Sequence, residues 1–466
     1  MYASTAASMS GTAMPTWSIL VSTRPSMKRP CGTALTEPLH GGDERPRVRC
    51  YRRLVPMSRP RLPAAVVATA ALVLLAAYLA LWSGVSTINI GTSDFTATYV
   101  GATLLREGHG AAMYDQALQA PLHAALIAPL RRGNLPYVNP PVAAAIVVPL
   151  TVLPLATAYR IWQAAQLLML AAAVVVTLRR APWPARLSQP GVRLATALAA
   201  LAGTGTLSLG LLAQWDGFTA LGLAGAYALW RRDRGFAGGV VLAASAAIAK
   251  PHLAIGLAAL LLGWRERRVL AGAAAGLAAV VLASLIAAGP AGLSGFVSAG
   301  VADATRWPLA SLLGFTGLTG SWLGNGTAAH LLAAAGSLAA VAACIGLGRR
   351  LAWDRSALEP CLASATLLSL LASPHLLSHD MVLLAPVLVW MMAWAAGRDG
   401  ACAWPGRHGR AVLAGWVALS LTTAVDLGAD QAAPPGRLVP WALLALAGVL
   451  IWQLGPRRHS VVIAPS

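Results

Sequence analysis

The residues equipped for chemistry in this sequence are acids, histidines and one lysine that interrupt long apolar runs. A first group lies in the polar interval 91–141. It opens with Gly91-Thr92-Ser93-Asp94-Phe95 and closes with Tyr137-Val138-Asn139-Pro140-Pro141. Between these ends lie Arg106, Glu107, His109, Asp115, His123, Arg131 and Arg132. Further on come Gln214-Trp215-Asp216, then Lys250-Pro251-His252, then Ser373-Pro374-His375-Leu376-Leu377-Ser378-His379-Asp380. Arginine carries nearly all the positive charge; the two lysines are Lys28 in the N-terminal tail and Lys250 among the apolar runs. A carboxylate so placed can take a proton from a hydroxyl, and a lysine with histidines can hold an anion. Each residue also has a plainer reading. Asp94 and Asp216 suit helix caps, and Lys250 suits an interfacial anchor. His375 and His379 have the spacing of one helical face and could be metal ligands or interfacial histidines. Pro140-Pro141 suits a rigid turn.

What must position these groups is membrane helix. Hydrophobic residues make up 57% of the chain and charged residues 11%, against about 25% charged in a soluble domain. Apolar runs of bilayer length recur. The net charge of +19 sits in arginine clusters between those runs, the pattern of cytoplasmic loops. It does not point to nucleic acid. The reading is an all-α polytopic membrane protein of about twelve transmembrane helices with both ends inside. It has a long first outer loop, 84–141, and short interfacial helices. The spans are expected near 63–82, 155–178, 193–212, 215–230, 236–250, 251–264, 269–288, 328–348, 358–373, 380–397, 411–428 and 438–454. The apolar segment 142–154 is too short to span and suits an interfacial or re-entrant helix.

Residues 1–62 carry ten basic residues against three acids and no apolar period, which reads as a disordered cytoplasmic tail. An over-extended start, with Met57 as the true beginning, is the alternative. The transmembrane domain is expected at 63–455 and a cytoplasmic tail at 456–466. The five cysteines form no CxxC or zinc pattern, and none falls in an outer segment, so no disulfide framework is expected. With the arginines inside, Asp94, the Tyr137–Pro141 turn, Asp216, Lys250-Pro251-His252 and Ser373–Asp380 all fall on the outer face. Ionisable residues at membrane depth are costly and tend to be functional. Their shared side suggests a site for an anionic substrate at the outer leaflet.

The order Asp94-Phe95, Tyr99, Gly101-Ala102, Leu104-Leu105, Gly108, Tyr114-Asp115, then Tyr137, Pro140-Pro141, Pro149-Leu150, Leu153-Pro154 and Trp162 resembles the N-terminal half of glycosyltransferase family 87. That is a GT-C-class family of polyprenyl-phosphate-mannose-dependent mannosyltransferases. Lys250-Pro251-His252 looks like the family's Lys-Pro-Gln segment, and Ser373-Pro374-His375 with His379-Asp380 looks like its late Ser-Pro segment. The resemblance covers roughly 65–400. It departs from the family where Gly210 is separated from Gln214 by Leu211-Leu212-Ala213, in place of Gly-Gln.

The resemblance implies a GT-C fold in the cytoplasmic membrane with an extracytoplasmic active site. The donor would be a polyprenyl phosphate sugar, mannose in most of the family. The acceptor would be a glycolipid or polysaccharide, among membrane lipid. The family's first-loop acid is the base of an inverting transfer, a role that falls to Asp94. Lys250 and His252 are expected at the donor phosphate, and Gln214, Asp216, Tyr137, His375, His379 and Asp380 elsewhere in the pocket. No cofactor is expected, with a divalent metal left open. The lack of a Gly-rich phosphate loop agrees with a donor that is not a nucleotide sugar. A lipid or sugar transporter is the alternative from another class, but no internal repeat supports it. A GT-C enzyme using another polyprenyl-linked sugar is a third reading.

Overall fold

A computed structural model of the chain describes residues 61–128, 135–185, 189–304, 306–399, 404–427 and 437–454. Residues 1–60 and 456–466, the bulk of the two expected tails, lie outside the described residues, as do Arg131 and Arg132. The described residues form helices without strands. Helix α1 (Arg61–Ser83) leads into the polar interval, which folds as α2 (Thr87–Gly91), α3 (Asp94–Arg106), α4 (Gln116–Leu126) and α5 (Pro141–Val147). There follow α6 (Leu155–Arg180), α7 (Pro190–Leu201), α8 (Thr204–Leu212), α9 (Asp216–Trp230), α10 (Gly235–Ala249) and α11 (Ile255–Trp264). The rest are α12 (Arg267–Ala304), α13 (Phe315–Leu323), α14 (Thr327–Trp353), α15 (Leu358–Ala372), α16 (Leu384–Asp399), α17 (Arg407–Leu427) and α18 (Leu438–Gln453).

Six helical segments among the described residues are long and apolar enough to cross a bilayer: Pro63–Ser83, Leu155–Arg180, Arg267–Asp303, Thr327–Trp353, Ser378–Asp399 and Arg407–Leu427. The pair α7 and α8, bent by 54°, makes a seventh if counted as one broken span. The sequence pattern predicts about twelve. The difference lies in α9, α10, α11, α15 and α18, which have 15, 15, 10, 15 and 16 residues. At 1.5 Å per residue they reach roughly 15–24 Å, short of the ~30 Å hydrocarbon core. The first four are bounded by polar interruptions at their ends.

Those interruptions are organised. Helix α9 ends just before Arg231 and begins at Asp216; α10 begins just after Arg234 and ends just before Lys250. Helix α11 ends before Arg265, and α15 starts after Arg355 and ends before Ser373. Arginine thus stands at or near one end of each, and Asp216, Lys250, the 250–252 stretch or the 373–375 stretch lies at or a few residues beyond the other. Small residues let these helices approach closely. A Cβ on Gly239 would lie 2.1 Å from the Val269 carbonyl oxygen, and one on Gly272 would lie 2.0 Å from that of Phe236, so α10 and α12 pack backbone to backbone.

Helix α12 kinks at Gly289, whose φ of 66° is open to glycine, followed by Pro290. The kink sends residues 290–304 over the first polar interval: a Cβ on Gly292 would come within 2.8 Å of the Gly110 carbonyl oxygen. Segment 142–154 forms α5, started by Pro141 at the first helical position, and a 3-10 turn, Val148–Val152. One core gathers α6, α7, α9, α11 and α15–α18. A second, rich in aromatics, holds Phe95, Tyr99, Tyr137, Tyr159, Trp162 and Trp215 beneath the polar interval. Large apolar side chains such as Leu79, Ile286 and Leu338 remain exposed, as a lipid-facing surface requires.

Candidate active site

Asp94 is the first residue of α3, with Ser93 in the cap position. Ser93 donates its hydroxyl back to the Ile90 carbonyl at 2.7 Å, and the Asp94 carboxylate accepts from a side chain in another helix break and not from the first N–H groups of α3, so it does not act as the cap. It is half-buried, and Gln214 Nε2 donates to its Oδ2 at 2.6 Å. That is the hydrogen bond its carboxylate makes among the described residues, which leaves Oδ1 uncommitted. Burial pushes the Asp94 carboxyl above its ordinary value, while the Gln214 hydrogen bond and the charge of Lys250 pull it back. A carboxylate raised in this way is a stronger base than one in water.

Gln214 sits in a break between α8 and α9. Before it, Ala213 is left-handed, with φ 50°, a conformation that costs a non-glycine residue roughly 1–2 kcal/mol. The break leaves backbone groups without helical partners, and α6 satisfies them from one stripe. Tyr159 donates its hydroxyl to the Gly210 and Leu211 carbonyls at 3.0 and 2.7 Å. Gln163 Nε2 donates to the Gly210 carbonyl at 2.5 Å, and Gln166 Oε1 accepts from the Phe218 N–H at 3.0 Å. The spacing i, i+4, i+7 puts all three on one face. Arg160 donates to the carbonyls of Trp82 and Val85, closing the end of α1. None of these four was picked out from the sequence as a site residue, though polar residues at helical spacing in an apolar helix were the available signal.

A second centre adjoins the first. Lys250 Nζ donates to Asp380 Oδ1 at 2.6 Å and to Asp216 Oδ2 at 3.1 Å. All three residues are buried. The lysine is therefore not reaching for an interface; two of its three N–H groups are engaged. The other Asp380 oxygen accepts from the Leu377 N–H at 2.7 Å, so Asp380 also fixes the 3-10 turn Ser378–Leu383. His379 Nε2 is 3.5 Å from Asp380 Oδ1 and 4.0 Å from Asp216 Oδ2. Ser369 bridges the break between α10 and α11, accepting from the Gly256 N–H and donating to the Leu253 carbonyl.

The histidine rings continue outward. His252 and His375 have centroids 6.4 Å apart, and Trp307 lies 5.8 Å beyond His375. Burial lowers the tendency of His375 to protonate. Several buried polar atoms around the two centres lack a partner among the described residues: Trp162 Nε1, Trp215 Nε1, Asp216 Oδ1, His252 Nε2 and His379 Nδ1. Buried polar groups are normally satisfied, so these atoms are available to water or substrate.

Of the residues expected from sequence, Asp94 and Gln214 make one unit, and Asp216, Lys250, His379 and Asp380 make the other, with His252 and His375 alongside. Tyr137 stands apart. It is 1% exposed, its hydroxyl donates to the Pro140 carbonyl at 2.6 Å, and its ring lies under Gly101 of α3. It supports the helix that carries Asp94 without reaching the centre. Asp216, His379 and Asp380 could also ligate a metal, since one ligand atom of each lies within 4.8 Å of the others. The Lys250 ammonium already brings positive charge to both carboxylates.

No curated protein and no solved structure matches the chain. The described apolar helices identify a membrane protein. The family model that does match runs from Tyr137 to Pro374, so it takes in Gln214, Asp216, Lys250 and His252 but leaves Asp94 and the 378–380 turn outside. With just over half of its length covered by that match, the chain belongs to glycosyltransferase family 87.

Proposed function

We propose that this enzyme transfers a sugar, mannose in the first instance, from a polyprenyl phosphate to a glycolipid or polysaccharide hydroxyl at the outer face of the cytoplasmic membrane. Asp94 is the general base. Its free Oδ1 takes the acceptor proton as the acceptor oxygen attacks the anomeric carbon. The bond from that carbon to the phosphate oxygen breaks on the opposite face, the electron pair leaves with the polyprenyl phosphate, and the configuration inverts. The carrying observation is the Asp94–Gln214 contact: one oxygen held at 2.6 Å, the other open, on a half-buried carboxyl with a raised pKa.

The lysine centre supports the leaving group. The third Lys250 N–H is the donor available to a phosphate oxygen, and the His252 and His379 rings line the same centre. Charge-assisted hydrogen bonds in a low-dielectric site stabilise developing negative charge most. Asp216 and Asp380 hold Lys250 charged and in place, so no metal is required there. The outer-face assignment rests on the arginines at the far ends of α9, α10, α11 and α15, because arginine-rich loops stay inside. The single transmembrane domain is taken as 63–455.

The transporter alternative gives way, since the chain belongs to a glycosyltransferase family. The test is to incubate membranes containing the protein with radiolabelled polyprenyl-phospho-mannose and extract lipid and glycan. Label should move to a glycolipid or polysaccharide. Label that stays on the donor, while another polyprenyl-linked sugar is transferred, would replace mannose; no transfer from any such donor would overturn the reading.

A further inference from the structure

A cleft of about 580 Å³ lies between the outer half of α12 and the first polar interval. Its size falls in the roughly 300–1,000 Å³ range of small-molecule sites. The α12 kink builds it. Beyond Gly289 the helix turns over residues 110–116, and Gly295 fits so closely that a Cβ there would come within 3.0 Å of the Tyr114 ring. Tyr114 is held in turn: its hydroxyl donates to the Asn139 carbonyl at 2.5 Å, and its ring stacks on Tyr137 at 5.6 Å.

The polar lining is Tyr114, Asp115, Gln116, Ser298, Asp303 and Arg306. Two carboxylates against one guanidinium disfavour an anion. Carboxylates accept several hydrogen bonds each, so this lining suits a neutral ligand rich in hydroxyl donors. Asp115 gives Oδ1 to the Ala117 N–H at 2.8 Å, which leaves its second oxygen for a ligand.

The cleft adjoins the acid centre by two routes. Trp307 follows the lining residue Arg306 and packs against His375, whose ring neighbours His252. Behind Tyr114, the Tyr137 ring lies under Gly101 of α3, the helix that begins with Asp94. The cleft is thus linked through packed side chains to the histidine pair beside the lysine centre and to the helix that begins with Asp94.

We propose that this cleft binds the neutral saccharide end of the acceptor, with Asp115 and Asp303 accepting hydrogen bonds from its hydroxyls. The proposal rests on the glycosyl-transfer reading but is tested by binding alone. The purified protein is titrated with two probes, a soluble α-linked mannobiose and octyl α-mannoside, and binding is read by saturation-transfer NMR. Preference for the first marks a polysaccharide end, and preference for the second a glycolipid headgroup; either supports the saccharide class. Ser298→Trp should fill the cleft and weaken binding at least ~tenfold, about 1.4 kcal/mol. Val297→Trp, on an exposed neighbouring position, should leave it unchanged. The volume-conserving pair Asp115→Asn with Asp303→Asn should weaken binding too, and covers the case in which the tryptophan variant fails to fold. No binding of either probe to the wild type, or binding indifferent to these cleft variants, would overturn the proposal. Cleft-dependent binding without any transfer from a polyprenyl donor would retain the cleft and defeat the glycosyl-transfer reading instead.

Discussion

Replacing Gln214 with leucine removes the hydrogen bond to Asp94 Oδ2 while keeping most of the side-chain volume. The hydrogen bond favours the charged carboxylate, so its loss raises the Asp94 pKa above its already raised value. A hydrogen bond to a charged group is worth about 1.5–3 kcal/mol, and one pKa unit is about 1.4 kcal/mol. That corresponds to roughly one to two units, and because Asp94 is half-buried and partly screened the lower figure of about one is expected. A base works only when deprotonated, so the acid limb of the kcat/KM profile should move about one unit toward higher pH. Above that limb the variant should approach wild-type turnover. The assay is transfer from labelled polyprenyl-phospho-mannose across pH 4–9, corrected for folded enzyme. Gln163→Leu is the control: it disturbs the same break between α8 and α9 through the Gly210 carbonyl but touches neither Asp94 oxygen. It should change amplitude and leave the limb in place. An acid limb that stays put in Gln214→Leu, or moves equally in Gln163→Leu, would refute the reasoning.

Other consequences follow from the same contacts. Lys250→Ala leaves Asp216 and Asp380 buried without their cation, so thermal unfolding in detergent should show a loss of about 3–5 kcal/mol; an unchanged Tm would contradict the ion triad. Gly272→Leu forces side-chain atoms into the Phe236 carbonyl and should cost at least about 1–3 kcal/mol by the same measurement, whereas a variant as stable as wild type would deny the close packing of α10 on α12. For topology, single cysteines at the exposed positions Thr92 and Trp307 should react with an impermeant thiol reagent in intact cells, and one at exposed Trp353 only after lysis, in a background without the native cysteines. The reverse pattern would put the site inside.

The chemistry was easier to read from the sequence than the architecture. Polar residues at the ends of apolar runs gave Asp94, Gln214, Asp216, Lys250, His379 and Asp380 as candidates, because charge in a membrane is conspicuous wherever it occurs. Their partnerships were hidden. Asp94 and Gln214 are 120 residues apart, and Lys250 is 34 and 130 residues from its two carboxylates; one-dimensional spacing does not report which helix ends meet. The lysine illustrates the limit. Its rarity in the sequence was visible, but not that two buried acids already hold it. The bounds of α9, α10, α11 and α15 were legible, within about four residues of the expected 215–230, 236–250, 251–264 and 358–373; what hydropathy over-read was that runs so short each cross the bilayer, whose thickness they do not reach. The kink at Gly289 and the left-handed Ala213 depend on tertiary packing. So does the Tyr159, Gln163 and Gln166 stripe that repairs the break before α9.

Asp94→Asn tests the central claim most directly. Asparagine has nearly the same volume, and its carbonyl can still accept from Gln214, but it cannot take the acceptor proton. Measured per folded enzyme with labelled polyprenyl-phospho-mannose, turnover should fall roughly 10²–10⁴-fold, with Tm and donor binding retained. Turnover near wild type in Asp94→Asn, with the fold intact, would contradict the assignment of Asp94 as the base.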